Sequence, residues 1–206
     1  MRSASLLLVS LLLAACATTP PPAMEEAGIG WEPHHQQLEE LENWSFSGKI
    51  AVSQGDEADS ARLRWTQRGE QLRVEISGPI GFKQMLVESD GGSGRVYRDG
   101  RWTELKEGQW RLERELGWPL PLDLLPWWLR GIPAPGVAPD ELKLVQGRLA
   151  LLRQADWQLE YSEYQAVNQP GDAVESGSVE LPSLIRFEHR ELSGKILLKR
   201  WRLDNE

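Results

Sequence analysis

The chain has 206 residues, with 23 Lys and Arg against 31 Asp and Glu, a formal net charge of −8. That acidic balance makes nucleic acid a poor partner and gives no overall electrostatic pull toward an anionic membrane surface. Ten Trp against three Phe and three Tyr is the compositional oddity, because Trp joins a bulky apolar body to a polar N–H and suits both a core and a lipid-facing wall.

Residues 1–15 read as a signal peptide. Arg2 supplies a short basic start, and Leu6 to Leu13 is an apolar run too short to span a bilayer. It ends in Leu13-Ala14-Ala15-Cys16, small residues before a cleavage point with Cys directly after it. That arrangement is a bacterial lipoprotein signal, which makes Cys16 the diacylglyceryl-modified N-terminus of the mature chain. Cys16 is the only Cys, so no intramolecular disulfide is expected. Residue 17 is Ala where Asp would favour retention at the inner membrane, so the expected destination is the outer membrane, on its periplasmic face. Residues 16–30 read as a lipidated tether, kept extended by Pro20-Pro21-Pro22. Residues 31–206 are expected to form a single domain.

Trp31 to Asn43 predicts an amphipathic helix, with Trp31, Leu38 and Leu41 on one side and Glu39, Glu40 and Glu42 on the other. Strands follow. Trp44, Phe46, Gly48, Ile50 and Val52 share a face, and Gln54 to Asp59 reads as a polar hairpin loop. In Ala61 to Ser77, Leu63, Trp65, Leu72, Val74 and Ile76 alternate with Arg64, Arg73 and Glu75, the mark of a half-buried antiparallel pair. Next comes Gly78-Pro79-Ile80-Gly81-Phe82, an apolar Ile at the centre of a turn where polar residues are usual. A greasy hairpin tip suits a surface that handles something apolar. A β-sandwich hairpin with one exposed Ile accounts for the same residues. Phe82 to Glu88, Arg95 to Arg98 and Arg101 to Leu105 continue a meander, with Asp99-Gly100 as a tight turn.

Glu107 to Gly117 switches to a helical pattern, and Asp123 to Leu129 predicts a second short helix with Pro126 early in it. This block holds Trp110, Trp118, Trp127 and Trp128. It is too apolar for a loop, so it either covers a cavity as a lid or covers an ordinary sandwich core. Strands resume around Leu142 and Leu144, Leu149 to Arg153 and Trp157 to Tyr161; a polar loop is expected over Gln165 to Gly177, and strands again at Val179 to Leu181, Leu184 to His189 and Lys195 to Leu203. Ser-Gly-Lys-Ile occurs at 47–50 and 193–196, without the fixed period of a repeat. The fold class is mainly β, about ten or eleven strands with a small helical insertion.

Catalytic patterns are absent. The three His, at 34, 35 and 189, come without the thiolates of a zinc site, no Gly-x-Ser-x-Gly elbow occurs, and neither Gly-Lys pair is followed by Ser or Thr. The expectation is a binding protein, with no enzyme activity, cofactor or metal. A lipid-modifying hydrolase lacks any visible nucleophile constellation.

Taken in order, the residues resemble the LolB family of outer-membrane lipoproteins. The resemblance rests on Trp31-x-x-His34-His35, Ala61-Arg62-x-x-Trp65, Pro79-Ile80-Gly81, Pro119-Leu120-Pro121-Leu122, Trp128-Leu129-Arg130-Gly131-Ile132-Pro133, Trp157-x-x-x-Tyr161-x-x-Tyr164 and Lys195-Ile196-x-Leu198-x-x-x-Trp201. It implies an unclosed antiparallel β half-barrel with a helical lid over a hydrophobic cavity. It implies a lipoprotein receptor that takes acyl chains from the periplasmic carrier LolA and inserts lipoproteins into the outer membrane without nucleotide hydrolysis. It also implies that an apolar residue on the Pro-x-Gly turn serves insertion, here Ile80, to which Phe82 is added as a neighbouring apolar side chain. The expected cavity wall is Leu63, Trp65, Leu72, Val74 and Ile76, with Trp110, Leu116, Trp118 and Trp127 from the lid. The alternative is a structural outer-membrane lipoprotein that scaffolds an envelope complex around a filled core.

Overall fold

The computed structural model describes residues 30–78, 84–105, 120–169 and 177–204. A helix, α1 (Trp31–Glu39), precedes six strands: β1 (Asn43–Gln54), β2 (Glu57–Arg68), β3 (Gln71–Ser77), β4 (Met85–Ser89), β5 (Gly94–Arg98) and β6 (Arg101–Leu105). A short helix, α2 (Leu125–Arg130), separates them from β7 (Glu141–Val145), β8 (Arg148–Gln154), β9 (Trp157–Asn168), β10 (Ser178–His189) and β11 (Leu192–Leu203). The strands form one antiparallel sheet in the order β6-β5-β4-β3-β2-β1-β11-β10-β9-β8-β7. Its edges, β6 and β7, do not pair with each other, so the sheet stays unclosed, as the family resemblance implies.

The first and last strands meet in the middle. β1 pairs with β11 in a register that places Ile50 opposite Ile196, with Gly48 opposite Leu198 and Gly194 opposite Val52. The two Ser-Gly-Lys-Ile segments therefore flank one central pair. A Cβ on Gly48 would strike the Leu197 carbonyl, and one on Gly194 would strike the Ala51 carbonyl and the Phe187 ring. Glycine is required at both places because neighbouring groups approach too closely for a side chain.

Period-two alternation sends one face inward along every long strand. Phe46, Ile50, Leu63, Trp65, Val74, Ile76, Ile185 and Leu198 belong to a single buried cluster. Trp44 lies parallel to Trp65 with ring centroids 6.1 Å apart, and Trp201 tilts against Trp44 at 5.5 Å and against Phe46 at 5.1 Å. Trp44, Trp65, Trp128, Trp157 and Trp201 are all buried, so much of the Trp excess is core packing. Burying side chains of this size stabilises the fold by about 1.5–3 kcal/mol each. The outer face carries a cross-strand ladder in which Arg64 and Arg73 pair with Glu75, and Arg73 and Arg95 pair with Glu88. Exposed pairs of this kind contribute about 0–1 kcal/mol.

Several boundaries differ from expectation. α1 ends at Glu39 rather than Asn43, because the Arg130 guanidinium takes the carbonyls of Leu38, Glu39 and Leu41. The hairpin over Gln54 to Asp59 is a tight turn at Gly55 (φ 58°), and β2 starts at Glu57, where exposed residues extend the ladder beyond the core. β9 likewise runs to Asn168, into the stretch read as a loop. Pro182 does not interrupt β10. A register shift between Pro182 and Leu184 absorbs it, as bulges do for proline, and Trp201 Nε1 donates to its carbonyl at 2.9 Å. The helix expected at Glu107 to Gly117 lies outside the described residues.

Candidate functional site: an apolar chamber beneath the short helix

The chamber arises where α2 and the residues before it lie across the inner face of β1 to β3. Pro121 is buried and its carbonyl accepts from the N–H groups of Leu124 and Leu125, starting the turn that leads into the helix. Pro126 occupies the first turn, where the missing N–H costs nothing. Gly131 ends the helix with φ 85°, and its N–H donates to the Trp128 carbonyl. Helical spacing then puts Leu125 and Leu129 side by side over the sheet.

Between these elements is a chamber of about 30 Å³ lined, among the described residues, by apolar side chains. Phe46, Ile50, Leu63, Trp65, Val74 and Ile76 form its floor; Leu120, Leu122, Leu125 and Leu129 form its roof. Room of that size accepts a water or two at most, and an apolar void of this kind stays dry. At this size the chamber is closed and holds no room for a larger guest.

On the other side the roof is held by polar contacts. Trp128 Nε1 donates to Gln154 Oε1 at 2.7 Å, which also accepts from the Ala134 N–H at 2.9 Å. Gln154 Nε2 donates to the Ala134 and Val137 carbonyls, at 2.8 and 2.6 Å. Tyr161 Oη donates to the Trp128 carbonyl at 3.0 Å, and Tyr164 Oη to that of Leu149 at 2.7 Å. Burial pushes both phenols above their ordinary range, so they remain neutral donors. Arg130 is buried, stacks its guanidinium 4.6 Å from the centre of the Trp127 ring, and ties α2 to the C-terminal carbonyls of α1. Burial lowers its pKa to about 10, partly offset by Glu39, so it stays charged at neutral pH.

The structure brings four of the expected wall residues to the chamber: Leu63, Trp65, Val74 and Ile76. Leu72 is buried on the same inner face but does not line it. Trp127 sits on α2 but does not line the chamber. It is partly buried and packs against the core edge and Arg130, while the leucines around it make the roof. In a helix, the residues two to either side of Trp127 turn to another face, which is why Leu125 and Leu129 point down instead. Cys16, Ile80, Phe82, Trp110, Leu116 and Trp118 lie outside the described residues. Sequence reasoning singles out neither Gln154 nor the side chain of Arg130, although both fasten the roof. Among the described residues, no group of three or more His, Cys, Asp or Glu is placed to hold a metal.

Comparison with known proteins places this geometry. The family model described as outer membrane lipoprotein LolB matches residues 42–201. A protein of Pseudomonas syringae pv. syringae named outer-membrane lipoprotein LolB is 31% identical over 173 residues, covering 83% of this chain and 80% of the relative. One of the same name from Stutzerimonas stutzeri is 34% identical over 173 residues, covering 83% and 79%. Among solved structures, a domain from Vibrio parahaemolyticus named for outer membrane lipoprotein sorting aligns with a TM-score of 0.55 at 8% identity, covering 88% of this chain and 94% of that one. At that identity the likeness speaks for the fold alone.

Proposed function

The chain belongs to the LolB family of outer membrane lipoproteins, and from that premise we propose that it receives acylated lipoproteins from the periplasmic carrier LolA and releases them into the outer membrane. The family match supports this reading most strongly, and the purely apolar meeting of roof and sheet is compatible with it. Among the described residues the chamber walls are apolar side chains, the one polar atom, Trp65 Nε1, donating to Gln67, and the roof meets β1 to β3 through hydrocarbon. Displacing α2 exposes the floor, and an entering acyl chain covers it again. Acyl burial is worth roughly 0.8 kcal/mol per methylene, so a chain of ordinary length outweighs the contacts the roof gives up. Direction needs no nucleotide. A difference of about 1.4 kcal/mol between successive sites biases transfer tenfold.

The remaining assignments rest on the sequence. Cys16 carries the lipid that holds the domain at the periplasmic face of the outer membrane, and residues 16–30 let residues 31–206 move above it as one domain. Ile80, aided by Phe82, enters the bilayer from the link between β3 and β4 and opens the exit. Trp110, Leu116 and Trp118 belong to the lid. None of these steps calls for catalysis.

The test mixes carrier loaded with labelled lipoprotein with the mature chain carrying Cys16→Ala, then adds liposomes. We expect a stable complex of label with the chain, emptied by liposomes. Ile80→Glu should keep acceptance and lose release at least tenfold. A folded chain that never takes up label would return the protein to the scaffold reading, and normal release by Ile80→Glu would remove the role given to the turn.

A further inference from the structure

The chamber runs along β2, and the residues beyond its two ends differ in what they offer a ligand. In the β1–β2–β3 register Phe46, Trp65 and Val74 make one cross-strand row, Leu63 and Ile76 belong to the next, and Ile50 stands opposite Ala61 in the third. The chamber floor lies across these three rows. One row past Trp65 come Trp44, Gln67 and Leu72, which is why Leu72 shares the inner face without lining the chamber. One row past Ala61, in the other direction, Val52 stands opposite Asp59. Residues two apart on a strand share a face. The inner face of β2 therefore carries Asp59, Ala61, Leu63, Trp65 and Gln67 in turn. An apolar run is bracketed by a carboxylate at one end and an amide at the other.

The acyl chains of a lipoprotein end in ester carbonyls, which accept hydrogen bonds and donate none. An ionised Asp59 also only accepts, so its end of the chamber offers an ester nothing. The other end donates. Trp65 lays its ring in the floor and turns its Nε1–H to Gln67 Oε1 at 3.4 Å, longer than the usual N–H···O distance of about 2.9–3.0 Å. Gln67 Nε2 donates to the Gly69 carbonyl at 2.6 Å, and a primary amide has a second N–H to give. We propose that the Trp65–Gln67 end is the head subsite of the chamber, where a cargo ester carbonyl accepts from Trp65 Nε1 and from the second N–H of Gln67 while the acyl chain runs toward Ile50 and Ile196. This deepens the function proposed above and rests on it. The exchange leaves no buried donor behind. Trp65 passes from one acceptor to another, and Gln67, half-buried at the end of β2, keeps access to water. A chamber with two equivalent ends takes an amphiphile either way round, whereas donors at one end alone fix where the head lies.

The experiment compares a diacylglycerol with the dialkyl ether of the same chain length, which lacks the carbonyls, as displacers of a fluorescent fatty acid from the mature Cys16→Ala chain. We expect the ester to bind about fivefold tighter or more, the worth of one hydrogen bond or two. Trp65→Phe keeps a ring in the floor and loses the N–H, and it should bring the ester-to-ether ratio toward one. Gln67→Glu removes the amide donors and gives the Trp65 N–H a stronger acceptor. It should lower the ratio in the same way, with an unchanged thermal transition. Looser packing alone weakens both ligands together and leaves the ratio as it was. A parent chain that binds ester and ether alike, or a ratio that neither variant moves, overturns the subsite and leaves the cargo reading standing. Uptake of neither ligand by the parent removes the cargo reading and the subsite with it.

Discussion

β1 to β3 meet the α2 segment through hydrocarbon, with Leu120, Leu122, Leu125 and Leu129 laid over Phe46, Leu63, Val74 and Ile76. β8 and β9 meet it through directed bonds, from Gln154 to Trp128, Ala134 and Val137 and from Tyr161 to Trp128. Among the described residues no hydrogen bond joins the segment to β1, β2 or β3. The two contacts answer differently to an arriving acyl chain. Apolar contact is non-directional, and another apolar surface can replace it. A buried amide or hydroxyl cannot exchange its partner for a methylene without losing the bond. The segment is therefore held by directed bonds along one side and by exchangeable apolar contact along the other, and the proposed function has α2 tilt away from β1 to β3 while staying attached to β8 and β9.

The largest effect should come from the fastened side. Gln154→Leu strips four hydrogen bonds from a fully buried site, and at about 1–3 kcal/mol for each group left unsatisfied we expect a loss of about 4 kcal/mol. Urea unfolding measures it. A variant within 1 kcal/mol of the parent, taken as roughly the worth of one hydrogen bond, would mean that the roof is held elsewhere. On the replaceable side, Leu129→Ala should cost about 3 kcal/mol as a buried Leu truncation, and it should strengthen uptake of a fluorescent fatty acid because the chamber grows. Weaker uptake would show that Leu129 binds cargo rather than filling space. Tyr161→Phe deletes one bond without changing shape and should cost about 1 kcal/mol. If the segment is hinged there, the same change speeds exchange of the Trp128 and Leu129 amides.

The smallest effect concerns α1, which Arg130 ties to α2. His34 is buried with Nε2 unpartnered, and burial, then Arg148, then His35 hold its pKa below the ordinary 6.5. The folded state thus favours neutral His34, while the unfolded chain takes the proton at its ordinary pKa. Stability should be full above pH 6.5 and fall as pH drops from there toward the lowered folded value. His34→Gln should flatten that dependence in urea titrations carried out on either side of 6.5.

What is legible in the sequence follows the range of each signal. Alternation is local, so it assigns Leu63, Trp65, Val74 and Ile76 to one face by spacing alone, and Asp99-Gly100 reads directly as a turn. Gln154 carries no such signal. A glutamine at the end of β8 beside a turn looks solvated, and only a roof segment 20 and 26 residues earlier in the chain makes it a buried hub. Arg130 is similar, because the carbonyls it caps are about 90 residues away. Trp127 lies on α2, and helical phase, which size does not reveal, turns Leu125 and Leu129 toward the chamber. The paired Ser-Gly-Lys-Ile segments lack a period because they meet across the β1–β11 seam and follow no repeat along the chain.

The proposed function puts acyl chains on the inner face of β3, beneath a displaced α2. A photoreactive amino acid introduced in turn at Arg73, Val74, Glu75 and Ile76 tests it most directly, since neighbours on one strand point to opposite faces. After transfer of lipoprotein bearing labelled acyl chains, irradiation should give adducts at Val74 and Ile76 and none at Arg73 and Glu75. Adducts of equal yield at all four positions, or only at Arg73 and Glu75, would contradict a chamber between this strand and α2.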